Sequence, residues 1–96
     1  MVVGILQFEL AIDHARSLKE KRRVVASLKD RLHREQMVSV AEVDAHDVYN
    51  QARLGVAVAS STVAQCQRVL DHVLTKIHQH RDCVLNDHAI EILTGQ

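Results

Sequence analysis

Lys21 stands in the stretch RSLKEKRRVVASLKDRLHR, residues 16–34, where helical spacing turns it toward Leu18, Val25 and Leu28. A lysine on that apolar side must lead its ammonium out along the wall or meet an acid. The later stretch SVAEVDAHD supplies acids. Glu42 and Asp44 are two apart, hence on one face of an extended strand, and His46 follows if the chain stays extended. Lys21 with Glu42 or Asp44 is expected to form a structural polar site, a salt bridge at the sheet's edge; a functional lysine–carboxylate centre is the sharper alternative. Glu42, Asp44 and His46, with Asp47 close by, also carry donors that suit zinc or manganese. Nothing else completes a coordination shell, so a polar hairpin is the simpler account, and neither metal nor cofactor is expected.

The same stretch concentrates charge. Eight of the chain's twelve Lys and Arg residues fall there, against only Glu20 and Asp30, an excess of six positive charges in a chain of formal net charge zero. Such density on a rigid face can neutralise phosphates. A solvated amphipathic helix shows the same pattern with no partner at all. The candidate phosphate contacts are Arg16, Lys19, Arg22, Arg23 and Lys29. RNA read by stacking on an open sheet needs aromatics on the central strands. Here Phe8 lies on the first strand's apolar face, and the third strand offers Gly, Ala and Val, so that mode is excluded.

Other reactive groups look structural. Cys66 falls in the apolar stripe of a helix, and Cys83 has no evident activating partner. His78 and His80 diverge by about 200° on a helix. No P-loop, GxGxxG, GxSxG or HExxH occurs. No catalytic residue is assigned, and no enzyme is expected.

The elements that must position these groups follow from periodicity. Val2–Ile12 alternates as a half-buried strand, with Leu6, Phe8, Leu10 and Ile12 opposite Gln7, Glu9 and Ala11. Ser17 and Glu20 form a capping box that opens a helix ending near Glu35. Met37–Asp44 is a second strand and Arg53–Ala59 a third. In the third, Leu54, Val56 and Val58 share one face, and Gly55, Ala57 and Ala59 the other, flat enough for close approach. Ser60, Ser61 and Thr62 precede a second helix reaching about His80, with Val63, Cys66, Leu70, Val73 and Ile77 in its stripe. Asp82–Leu93 closes the series. The order β-α-β-β-α-β, with right-handed crossovers, predicts a ferredoxin-like α/β (α+β) sandwich: a four-stranded antiparallel sheet with two helices on one face.

Composition sets the class. Ninety-six residues, 47% of them hydrophobic, suit one domain spanning 1–96 that buries a little over ~60% of its unfolded surface. The absence of proline and the presence of three glycines argue against a linker-rich chain. Two cysteines are too few for a disulfide framework, and the start MVVGILQFELAI lacks the basic region of a signal peptide. A cytoplasmic domain is expected, with no membrane partner.

Three segments carry a family likeness. VVGILQFEL, ARSLKEKRRVV and SVAEVDAHDVYNQARLGVAV resemble the YlxP-like family of small bacterial proteins, a domain family of unknown function, and the likeness runs through AIEIL near the end. It implies a ferredoxin-like fold and no established enzyme activity. Family genes often lie beside translation-initiation and ribosome-maturation factors, which implies an association with ribosomes or RNA. Ser17, Leu18, Lys19, Lys21 and Arg22 match one shared motif; Glu42, Asp44, Asp47 and Arg53 match another. Tyr49 stands where many relatives carry Trp, and His46 where Gln is common.

Two functional expectations follow, ranked ahead of a third, a metal-dependent enzyme built on Glu42, Asp44 and His46. One is a non-enzymatic RNA- or ribosome-associated domain gripping phosphates through its first helix. The other is a homodimeric protein-interaction module built on the open sheet face.

Overall fold

The computed structural model describes residues 1–95 and contains six elements: β1 Val2–Ala11, α1 Leu18–Gln36, β2 Ser39–Asp44, β3 Gln51–Ser60, α2 Val63–Gln79 and β4 Val84–Thr94. The alternation of β1 places Leu6, Phe8 and Leu10 in the core and Gln7 outside it. β1 occupies the middle of the sheet, antiparallel to both β3 and β4, and the strand order is β2-β3-β1-β4. Val25, Leu28 and Leu32 of α1 and Leu70, Val73 and Ile77 of α2 join Leu6, Phe8, Leu54 and Val56 in one core. Both helices therefore cover the same sheet face and leave the other open. This is the ferredoxin-like sandwich.

Local chemistry sets the helix ends. Ser17 Oγ accepts from the Glu20 amide at 3.2 Å, while Glu20 Oε2 accepts from the Arg16 amide at 2.5 Å. These bonds satisfy amides left open at the helix start. α1 ends on Met37, whose φ of 54° is left-handed and whose amide donates to the His33 carbonyl at 3.0 Å. That cap turns the chain before pairing can begin, so β2 starts at Ser39 rather than Met37. Thr62 caps α2 by accepting from the Gln65 amide at 3.1 Å.

α2 lies close on the sheet because Gly4 makes room. A Cβ at Gly4 would meet Leu70 Cδ1 and Val58 Cγ1 at 3.1 Å. The helices are clasped to each other by Glu35, which receives Lys76 Nζ at 2.9 Å and Arg31 Nε at 3.3 Å. Lys76 above all, helped by Arg31 and opposed by partial burial, holds the Glu35 carboxyl below the usual glutamate range. Among the described residues, no helix is long and apolar enough to cross a membrane.

Candidate functional site

Lys21 is 1% exposed, the one charged residue buried among those described. Its ammonium donates to the Ala45 carbonyl at 2.6 Å and lies 2.9 Å from Glu42 Oε2. The second contact is too oblique for an aligned hydrogen bond and acts as a charge pair. The lysine thus joins the first turn of α1 to the β2–β3 connection.

That connection is ordered by several bonds. Asp44 Oδ1 accepts from the Ala45 amide at 2.7 Å, and the Ala45 carbonyl also accepts from the Val48 amide at 3.1 Å. Ala45 itself is left-handed, with φ 59°, where an alanine costs about 1–2 kcal/mol. His46 Nε2 sits 3.2 Å from the Glu42 carbonyl oxygen, and the Asn50 carbonyl accepts from the Ile12 amide at 2.9 Å.

The two strand carboxylates do not share a face. Glu42 lies opposite Leu54, but Asp44 lies opposite Arg53, so Val43 is an extra residue in β2. The bulge inverts the alternation: Glu42 turns toward the helices and Asp44 toward the open face. The expected grouping of Glu42, Asp44 and His46 is corrected accordingly, and Lys21 pairs with Glu42 and not Asp44. Among the described residues no group of three or more His, Cys, Asp or Glu side chains is placed to hold a metal ion.

The open face carries a site that periodicity alone did not reveal. Glu9 and Arg53 stand directly opposite across β1 and β3, with Arg53 Nη2 3.0 Å from Glu9 Oε1. Asp44 and Asp87 flank them in a shallow cleft of about 410 Å³. Both partners fall on the polar side of their strands; only the strand register, absent from the sequence pattern, brings them together. Farther along, Gly55 is not free for a partner, because Val43 Cγ1 lies 3.2 Å from where its Cβ would stand. Val3, Ile5, Ala57, Ala59 and Leu93 form an apolar area on the rest of this face, with the exposed Glu91 standing opposite Ile5.

The basic candidates all lie on α1 or just before it. Arg16, Lys19, Arg22 and Arg23 are exposed and Lys29 is half-buried, and none forms an ion pair with a described residue. Arg31 and Arg34 differ, being held by Glu35 and Asp30 respectively. His80 ends α2 near Arg31; burial first, then that guanidinium, lowers its proton affinity. Burial, with Asp82 beside it, raises the pKa of the Cys83 thiol, while Cys66 is enclosed in the core.

Comparison with known proteins places this arrangement. In overall shape the chain is similar to a de novo designed protein with ferredoxin fold (TM-score 0.63, 13% identity, 99% of this chain and 89% of that one). It is also similar to Atu4242 from Agrobacterium tumefaciens (TM-score 0.54, 11% identity, 100% and 94% covered). At these identities the likeness concerns the fold alone. In sequence it is 33% identical over 76 residues to the uncharacterized protein YlxP of Bacillus subtilis (strain 168), covering 79% of this chain and 83% of that protein. Residues 3–90 match the family model described as "Protein of unknown function (DUF503)". That span takes in Lys21, Glu42 and the whole basic helix, and the chain belongs to this YlxP-like family, DUF503.

Proposed function

We propose that the protein is a non-enzymatic, cytoplasmic RNA- or ribosome-associated domain that holds phosphates through α1. One observation carries the reading. Among the described residues, Arg16, Lys19, Arg22, Arg23 and Lys29 form no ion pair, whereas Arg31, Arg34 and Lys76 on the same pair of helices each form one. Unpaired cations on a rigid helix attract a polyanion and release its counterions on contact. Lys21 orders the base of that helix against the β2–β3 connection and does not itself contact the partner. The test is cosedimentation with ribosomal subunits and labelled ribosomal RNA at low and moderate salt, beside an Arg22→Glu/Arg23→Glu variant. Salt-sensitive binding that the variant loses supports the reading; binding unchanged by the charge reversal, or absent at both salts, rejects it.

A second reading rests on the open sheet face. Val3, Ile5, Ala57, Ala59 and the exposed Leu93 form an apolar area beside the Glu9–Arg53 pair, suited to a second copy of the chain. Sedimentation equilibrium at high concentration tests it, and a strict monomer would remove it.

A further inference from the structure

Resting on the phosphate-binding reading, we infer that the partner is single-stranded RNA and that Tyr49 is the platform on which one of its bases stacks. The chain has two aromatic residues, Phe8 and Tyr49. Phe8 is 3% exposed beneath the helices, whereas Tyr49 is 48% exposed. An exposed ring on a mobile connection would lose ordering entropy on each encounter. This ring does not ride on such a connection. Four residues before it, Ala45 is held by Lys21 Nζ at 2.6 Å; one residue after it, Asn50 accepts from the Ile12 amide at 2.9 Å.

Those two anchors also place the backbone that carries the ring. Lys21 belongs to the first turn of α1, so Tyr49 shares a pole of the molecule with Arg16, Lys19 and Arg22, all exposed and forming no ion pair with a described residue. An aromatic face beside a short row of cations is the arrangement that grips unpaired nucleotides: phosphates on the cations, a base on the ring. A duplex hides its base faces and could use only the cations. Charge also sets the direction. Asp44, at the end of β2, and Asp47, in the same connection as Tyr49, are exposed and repel phosphates. The nucleic-acid backbone is therefore kept on the α1 side, and a base turns inward to reach the ring.

The chain offers a direct probe, since it has one tyrosine and no tryptophan, so tyrosine emission reports on Tyr49 alone. The full chain is titrated against a fluorescein-labelled, mixed-sequence single-stranded RNA of about 12 nucleotides, within the usual range of single-strand site sizes. The same RNA annealed to its complement, and the Tyr49→Ala, Tyr49→Phe and Arg22→Glu/Arg23→Glu variants, are run in parallel, with circular dichroism to verify folding. The expected result is tighter binding of the single strand than of the duplex and quenching of tyrosine emission. Tyr49→Ala should lose roughly tenfold in affinity with its salt dependence unchanged, and Tyr49→Phe should stay within about twofold of wild type. If Tyr49→Ala binds as wild type does while the charge reversal abolishes binding, or if duplex and single strand bind equally, stacking is overturned and the phosphate reading stands. If wild type binds neither RNA, the phosphate reading fails and this inference with it. If Tyr49 emission instead responds to a ribosomal protein and to no RNA, the aromatic belongs to a protein contact and the inference is overturned.

Discussion

The Lys21 ammonium lies 2.6 Å from the carbonyl oxygen of Ala45, a residue 24 positions along the chain and itself in the left-handed region. A buried cation is thus used to fix a strained turn. The basic helix and the connection carrying Tyr49 are consequently tied together at this point.

Removing the ammonium should expose the cost of that arrangement. Lys21→Met leaves Glu42 without its counter-charge in a largely buried position and is expected to lower unfolding free energy by about 3 kcal/mol. Adding Glu42→Leu should recover most of the loss, since an apolar pair often replaces a buried ion pair without penalty. Urea denaturation of the two single variants and the double variant checks this. Additive destabilisation would show that the charges are not coupled.

Met37 offers the opposite change. Its φ is 54° and its side chain is 85% exposed, so a glycine there relieves backbone strain and loses almost no packing. Met37→Gly is expected to stabilise the protein by about 1 kcal/mol, seen as a raised thermal midpoint.

Gly4 leaves little room for a side chain. With Leu70 and Val58 atoms 3.1 Å from the position of a Cβ, and Cys66 Cβ at 3.4 Å, Gly4→Val must displace these side chains and overpack the seam between α2 and the sheet. A loss of about 1–3 kcal/mol is expected in chemical denaturation.

Acid should weaken the fold in two steps. Burial and Arg31 hold His80 below the usual histidine value of 6.5, so the folded chain binds that proton less readily than the unfolded chain does. Its stabilising contribution is complete above pH 6.5 and is lost as pH falls through the lowered folded value. Glu35, held below 4.5 chiefly by Lys76, follows the same sign at lower pH. Its contribution is present above 4.5 and lost as acid protonates the carboxylate. Thermal midpoints measured from about pH 8 to about pH 3, a range spanning both usual values, should show both steps. His80→Gln should flatten the upper one and Glu35→Gln the lower.

The fold was legible because each element announces itself locally. Alternation in residues 2–12 and the stripes through Val25 and Leu70 name their buried faces, and Ser17 with Glu20 marks a helix start. What stayed hidden depends on register. Val43 is an ordinary strand residue by type; only its failure to find a partner on β3 makes it a bulge and separates Asp44 from Glu42. Glu9 and Arg53 are 44 residues apart, and nothing local shows that they face each other. The start of β2 was missed because methionine gives no sign of the left-handed cap that glycine would advertise. For Lys21 the helical angle showed an inward-pointing charge, yet the carbonyl of Ala45 is a backbone group that no residue type betrays.

The central place of β1 bears on how the chain is made. Val2 lies between Ser60 and Thr94, and Ala11 between Gln51 and Val84. β1 therefore waits for partners made some 40 to 90 positions later, and α1 is complete long before the strand preceding it has a neighbour. Such distant pairing slows folding and leaves an apolar strand unprotected in the nascent chain. A translation product halted before β4 would expose one flank of β1, including Leu6 and Leu10, to any other unfinished chain nearby.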